Sequence, residues 1–461
     1  MLKELTTNRR FLVLFSLMFS IVCLLNVNYC LLRSARNALA VVDLGHGASS
    51  IPFFELCGTM PGAVLMVFLL TKLLNRFSIH KVFLITLAVF SGFFLFFAVG
   101  IYPSLHLWKD ALSGWGWIGV ILPQAFSMLF FVMAELWKIA LLTVLFWGLV
   151  NQYIQLADAK RFYAPLMLGG SIGTMLSGPL ISFCTSDYIS GGSWSRSLTL
   201  MMLSLAILGV VIAWLYTKLW KQFAGPKKEE EEKKDAALSL WDSVRMCMKS
   251  RYLLLLGWIT IADYVAYTLG EVIFLDVLKQ KFPDPRQYAN YNGKLAFWSG
   301  LLTAISALVI TPLILKKCKW VVASLVTPVC ILVTEAAFFF ALWTPSKDLH
   351  LELLVLLGTI FFCCSRAAKS TLLDTSKELS FLLLPPLEKM QGKLVIDGMC
   401  SRIGRGGASM MSLLLIQICG GVLASAFIAG WLAIAIGVSC VFSTFKLGFL
   451  VDKKSKPETI S

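Results

Sequence analysis

The chain has 461 residues, 58% of them hydrophobic and only 15% charged, against roughly 25% charged in a typical soluble domain. With a mean hydropathy of +0.78 and 33 Phe and 14 Trp, this excludes a water-soluble enzyme, a secreted disulfide scaffold and a disordered chain, and predicts an all-α polytopic membrane protein. One quantity does not fit a bundle that only faces lipid: a formal net charge of +15, from 41 Lys and Arg against 26 Asp and Glu.

In chain order, apolar windows of helical length predict spans near residues 11–32, 50–70, 82–102, 127–150, 163–184 and 197–218. A second series follows near 252–275, 295–315, 320–344, 351–372, 400–422 and 424–450, for twelve transmembrane helices in all. The N-terminal region carries no small-residue cleavage site and its first window is too long for a signal-peptide core, so it reads as a retained helix. The Trp-rich stretch Gly114 to Leu122 ends at Pro123 and reads as an interfacial helix. Between the sixth and seventh windows, Lys218 to Arg251 contains KKEEEEKKD from Lys227 to Asp235, a charge run that buries nothing and reads as a solvated cytoplasmic linker. It divides the chain into an N-terminal six-helix half, 1–217, the linker, 218–251, and a C-terminal six-helix half, 252–461.

With the N-terminus placed inside, roughly three-quarters of the Lys and Arg fall on the cytoplasmic side, which orients both termini to the cytoplasm. The six-plus-six layout and the short basic turn at Lys72, Asn75, Arg76 and Lys81 together resemble a major-facilitator-like transporter. In that fold, helices one, four, seven and ten line the central cavity. The cysteines, among them Cys23, Cys30, Cys184, Cys363 and Cys440, sit in or beside apolar runs and read as small hydrophobes. His46, His80, His106 and His350 are scattered without metal-ligand spacing, so no metal and no cofactor is expected.

An ionisable group inside a bilayer costs at least ~2.5–3.5 kcal/mol, so each one marks a candidate site. Span one ends in Arg33 and Arg36, and span four carries Glu135 and Lys138, both pairs at i,i+3 and therefore on one helix face. Span seven carries Asp263 and Glu271, with Tyr264, Tyr267 and Glu271 forming one stripe. Span ten runs into Arg366, Lys369, Asp374, Lys377 and Glu378. These clusters fall on the four cavity helices. Outside them lie Glu55 on span two, Glu335 on span nine, where an interhelical hydrogen bond is expected, and Arg402 and Arg405 at the entrance to span eleven.

Such a cavity suits an anion, because Arg presents a planar fork that matches phosphate oxygens. The segment DGMCSRIGRGG, Asp397 to Gly407, adds glycines and two arginines at a predicted helix N-terminus, where close backbone approach favours an anion. Tyr264 and Tyr267 offer rings on which a base stacks. A nucleotide satisfies all these features, and no nucleic acid or obligate protein partner is implied.

The sequence resembles the nucleotide transporter family of obligate intracellular bacteria and plastids, the ATP/ADP translocases of chlamydial and rickettsial type. The residues that carry the resemblance are NYCLLRSARNALAVV (Asn28 to Val42), GHGASSIPFFEL (Gly45 to Leu56), FVMAELW (Phe131 to Trp137), FWGLVNQ (Phe146 to Gln152) and AKRFYAPLMLGG (Ala159 to Gly170). In the second half they are the Glu271 segment, LLDTSKELSFLLLP (Leu372 to Pro385) and GKLVIDGMCSRIGRGG (Gly392 to Gly407). The resemblance implies a nucleotide carrier, not an enzyme, in the inner membrane of a bacterium. It places the family's functional charges on Arg36, Glu135, Glu271 and Lys377. Where the family usually has Lys-Asp the chain has Arg36-Asn37, Ser49 replaces a Glu, Glu55 replaces a Lys, Phe274 and Leu275 stand where a Lys is common, and Lys138 is added. These exchanges cancel in net charge.

On this reading, Arg33, Arg36, Lys138, Arg366, Lys369 and Lys377 hold phosphates, the tyrosines and apolar walls hold the base, and Glu135 and Glu271 pair the cations when the site is empty. Closing a cavity around unpaired like charges is costly, which favours exchange of external ATP for internal ADP by alternating access. The alternative is proton-coupled import of nucleotides, with broad triphosphate or NAD specificity, through Glu55 or Glu271.

Overall fold

The computed structural model describes residues 2–44, 47–105, 117–153, 159–223, 240–344 and 350–455. Among these the chain is almost wholly helical, with no strand. Eleven helices among the described residues are long and apolar enough to cross a membrane: Leu12–Asp43, Ser50–Arg76, Ile79–Leu105, Gln124–Tyr153, Pro165–Thr185 and Trp194–Phe223 are spans 1 to 6. Arg251–Lys281, Pro285–Lys317, Trp320–Trp343 and Leu351–Leu382 are spans 7 to 10, and Val422–Asp452 is span 12. The twelfth expected crossing, span 11, lies in an unbroken helical stretch from Pro386 to Cys419 whose polar residues include Arg402 and Arg405. Twenty residues at 1.5 Å rise cover the hydrocarbon core, and a helix satisfies its own backbone there, so runs this apolar and this long take no other form.

Two expectations change where the chain meets the ends of spans. Trp117 does not belong to a separate interfacial helix, since Trp117–Trp137 is one helix that passes through Pro123 into span 4. Proline deletes a single backbone donor, which membrane helices tolerate; Gly114 to Gly116 lie outside the described residues. Within the segment expected as a linker, residues up to Phe223 continue span 6 and Leu240–Lys249 form a helix. That linker helix buries Ser243 and Cys247 and packs Val244 and Met246 on a core of Tyr252, Leu253, Phe381, Ile396 and Leu447. The run KKEEEEKKD lies outside the described residues.

The chain divides into two compact units. Unit 1 comprises Met1–Ser50, Phe54–Glu230 and Phe282–Leu301, and unit 2 comprises Ile51–Phe53, Glu231–Lys281 and Leu302–Ser461. The first part of span 8 joins unit 1 because small residues let it approach span 5: a Cβ on Gly178 would stand 2.6 Å from Phe297 Cβ and 2.7 Å from the Gly293 carbonyl oxygen. In unit 1, span 1 packs on spans 5 and 6, and span 3 on span 6. Asn28 donates to the Leu205 carbonyl at 3.3 Å and Ser34 to that of Ala289 at 2.8 Å. Phe94, Phe97, Phe130, Phe131 and Trp137 fill the interior. Unit 2 repeats this order, with span 7 on spans 11 and 12 and span 9 on span 12. The outer faces of both units expose large apolar side chains, such as Val64, Phe68, Val89 and Val210 in unit 1 and Phe427, Trp431 and Phe449 in unit 2. A lipid solvent accounts for such faces.

Several helices contain a π turn. Those at 138–145 in span 4 and 369–373 in span 10 open on Lys138 and Lys369, and the one at 55–59 opens on Glu55. A π turn strains the backbone ladder and recurs where a helix carries function, so these lysines stand at positions marked by the backbone as well as by their charge.

Candidate functional site: two clusters of paired charges

In unit 1 the site is built by spans 1 and 4. Residues 29, 33 and 36 lie along one face of span 1, and residues 131, 135 and 138 along one face of span 4. Arg36 and Glu135 are 8% and 3% exposed and form an ion pair. The Tyr29 hydroxyl donates to Glu135 Oε1 at 3.1 Å, and Lys138 Nζ is 3.9 Å from Glu135 Oε2. Both cations also meet aromatic faces: the Arg36 guanidinium is 4.3 Å from the Phe131 ring centroid, and Lys138 Nζ is 4.8 Å from that of Tyr29. Ring quadrupoles offset part of the lost hydration of a buried cation. Glu135 thus gathers three neighbours, while the buried Arg36 Nε has no acceptor among the described residues. Arg33 sits half-buried on the same span.

In unit 2 the corresponding contacts involve spans 7, 10 and 11. Asp263, 4% exposed, forms an ion pair with Lys369, and Lys369 Nζ lies 3.4 Å from the centroid of the Tyr264 ring. Arg405 approaches the same ring at 5.5 Å. Further along span 10, Lys377 Nζ lies 2.8 Å from an Asp397 oxygen and 3.4 Å from one of Asp374. Tyr267 donates to Glu271 Oε1 at 3.4 Å and rests against Phe361 and Phe362, and Arg366 lies 5.4 Å over Phe362. Both tyrosine rings singled out for a base are therefore already in contact, Tyr264 with two cations and Tyr267 with two phenylalanines.

The structure thus brings Arg36, Glu135 and Lys138 together in one group, and Tyr264, Lys369 and Arg405 in another. Lys377 with Asp374, and Tyr267 with Glu271, form smaller groups. Arg402 is exposed and joins none of them. Glu55 is half-buried at the start of its π turn.

Two expectations are corrected. Asp397 to Gly407 is not the entrance to a helix: the helical stretch begins at Pro386, and the segment lies inside it, so no free N-terminal amides are presented there. Its glycine at 404 serves packing, since a Cβ would stand 3.1 Å from Ile261 Cα and 3.0 Å from Tyr264 Cβ on span 7. Glu335 makes no interhelical hydrogen bond among the described residues. It is fully buried with both carboxylate oxygens unpartnered, in a space left by the missing side chain of Gly270, where a Cβ would stand 2.7 Å from Glu335 Oε1 and from the Phe361 ring.

Sequence reasoning passed over Tyr29, Phe131 and Asp397 as site residues and left Asp263 outside the binding set. Tyr29 carried a usable signal: it stands one turn before Arg33 and two before Arg36, so a polar aromatic was aligned with two cations on an otherwise apolar helix.

The sequence pattern of the TLC ATP/ADP transporter family matches residues 4–450. The chain is 31% identical over 435 residues to ADP,ATP carrier protein 1 of Chlamydia trachomatis, covering 88% of this chain and 82% of that protein. It is 28% identical over 474 residues to the chloroplastic ADP,ATP carrier protein 2 of Arabidopsis thaliana, covering 96% and 76%. Among solved structures it is similar to a D323A mutant of the nucleoside transporter NupG, with TM-score 0.61, 15% identity and coverage of 95% of this chain and 100% of that one. A second is the xylose transporter XylE from E. coli, with TM-score 0.58, 11% identity and 98% coverage of both. Identities this low speak for the fold alone, and they support the major-facilitator-like arrangement of helices. The match along nearly the whole chain, together with the likeness to bacterial and plastid carriers, decides the family: this multi-pass membrane protein belongs to the TLC ATP/ADP transporters.

Proposed function

We propose that the chain exchanges ATP for ADP across the membrane by alternating access and carries each nucleotide unchanged. The observation that supports this best is the cluster in which Arg36, Lys138 and Tyr29 all converge on Glu135. A carboxylate that holds two cations in a buried place stands where an anionic ligand would stand. A nucleotide phosphate offers more oxygens than Glu135 and also supplies an acceptor for Arg36 Nε, so binding replaces one set of charge-assisted hydrogen bonds by a larger one. In unit 2, Lys369, Arg405 and Lys377 are the groups proposed to bind phosphate, and Asp263, Asp374 and Asp397 play the part of Glu135.

Exchange follows from the cost of the unloaded state. Conformational change with a bound anion keeps the cations paired, whereas without it the pairing carboxylates must follow the cations through every rearrangement. The names of the related carriers point to the same pair of nucleotides. The proposed setting is the inner membrane of a bacterium, with both termini cytoplasmic, on the placement of Lys and Arg.

Intact cells that express the protein, loaded with labelled ATP and then chased, test the proposal. External ADP or ATP should release label, buffer alone should not, and an uncoupler should leave uptake unchanged. Release into buffer without nucleotide, or uptake abolished by the uncoupler, overturns exchange in favour of proton-coupled import.

A further inference from the structure

The linker helix carries a second basic site that the nucleotide reading leaves unused. A cavity of about 440 Å³ is lined by Arg245, Met246 and Lys249 of that helix, by Ser250 after it, and by Glu388 of the helix Pro386–Lys393. Arg245 and Lys249 stand at i,i+4, share a face, are exposed, and have no ion-pair partner among the described residues. Lys393, which is also on the second helix, is occupied by Glu378 at 2.5 Å.

Beside this cavity lies an apolar stripe. Leu387, Met390 and Leu394, at i, i+3 and i+7, are 56%, 53% and 46% exposed. The stripe is held outward because the opposite face is pinned to span 7: a Cβ on Gly392 would stand 2.9 Å from Leu253 Cδ2. The helical stretch from Pro386 onward therefore cannot roll Leu387 and Leu394 inward without lifting off span 7. Met248, 67% exposed, adds to the apolar surface on the linker helix.

An exposed apolar stripe next to cations that have no ion-pair partner among the described residues is the arrangement of a helix at the membrane–water interface, with its side chains in the acyl region and its cations at the headgroups. We infer that this surface binds the headgroup of an anionic phospholipid, with the phosphodiester held by Arg245 and Lys249 and the stripe of Leu387, Met390 and Leu394 seated among its acyl chains. Charge selects the occupant. Among the residues that line the cavity, two cations and Glu388 leave one net positive charge, which matches a single phosphodiester and not the polyphosphate of a nucleotide. Glu388 and Ser250 accept from hydroxyl groups on the headgroup, which favours phosphatidylglycerol over a headgroup without donors.

The test uses the full chain in phosphatidylcholine vesicles with and without phosphatidylglycerol, followed by native mass spectrometry of the lipid each molecule retains. The double variant Arg245→Gln/Lys249→Gln should lose phosphatidylglycerol affinity about tenfold, while Lys316→Gln/Lys317→Gln, which alters another basic pair, should retain it. ATP–ADP exchange in phosphatidylcholine alone reports that each variant is folded, since none of these residues belongs to the nucleotide clusters. Equal retention by wild type and the Arg245/Lys249 variant overturns the inference. So does displacement of the lipid by inorganic phosphate, which would give the cavity to a free anion.

Discussion

The two units solve the same problem with opposite charge placement. In unit 1 the cation is on the first span of the unit and the carboxylate on its fourth, Arg36 to Glu135, whereas in unit 2 the carboxylate is on span 7 and the cation on span 10, Asp263 to Lys369. In both units the carboxylate is the more deeply buried member, and in both a lysine at the start of a π turn lies over a tyrosine ring, Lys138 over Tyr29 and Lys369 over Tyr264. The repeat therefore preserves a neutralised pair and an aromatic rest for the lysine, and leaves free which helix carries which sign. What differs is the reserve. Among the described residues, Glu135 has at least two cations and a hydroxyl around it, whereas Asp263 pairs with one lysine that is itself partly exposed.

This difference is open to direct attack. Arg36→Ala takes the nearest cation from the buried Glu135, and removing one partner of a buried pair costs about 3–5 kcal/mol. Exchange should be lost and the thermal midpoint of the purified protein should fall. The reciprocal Asp263→Ala should lower the midpoint less, because Lys369 keeps the Tyr264 face and some exposure to solvent. Equal losses would mean that the two pairs are energetically alike. Gly270→Ala comes next: its methyl would meet Glu335 and Phe361 in a filled interior, for about 1–3 kcal/mol. Smaller still is Tyr264→Leu, which removes the ring shared by Lys369 and Arg405 and should cost about 0.5–2 kcal/mol, read as weaker ATP binding. Tyr264→Phe should restore most of it, and failure of that rescue would give the hydroxyl, not the ring, the leading role. Arg402→Gln should change uptake within the error of the assay, since Arg402 is exposed and joins neither cluster.

How much of this was legible in the sequence depends on the range of the interaction. The helices were readable because about twenty apolar residues in a row have one stable form in lipid. The charged positions were readable because charge is rare there, and periodicity put Glu135 beside Lys138 from three residues away. The pairing of Asp263 with Lys369 spans more than a hundred residues, and no local pattern states it. Asp397 to Gly407 was misread because glycines at a helix entrance and glycines in a tightly packed helix interior look alike in one dimension. The actual start signal, Pro385 and Pro386 with Glu388 in the first turn, lies upstream. Glu335 was assigned a hydrogen bond on the general rule that buried polar groups are satisfied, yet its surroundings, Gly270 and Phe361, provide none.

The central claim is that the paired charges of both units serve nucleotide exchange. Liposomes holding the purified protein, either loaded with ADP or empty, and presented with labelled ATP test it most directly. With wild type, label should accumulate only in loaded vesicles, and both Arg36→Gln and Lys369→Gln should abolish that accumulation while still inserting. Accumulation in empty vesicles, or undiminished exchange in both variants, would contradict the account.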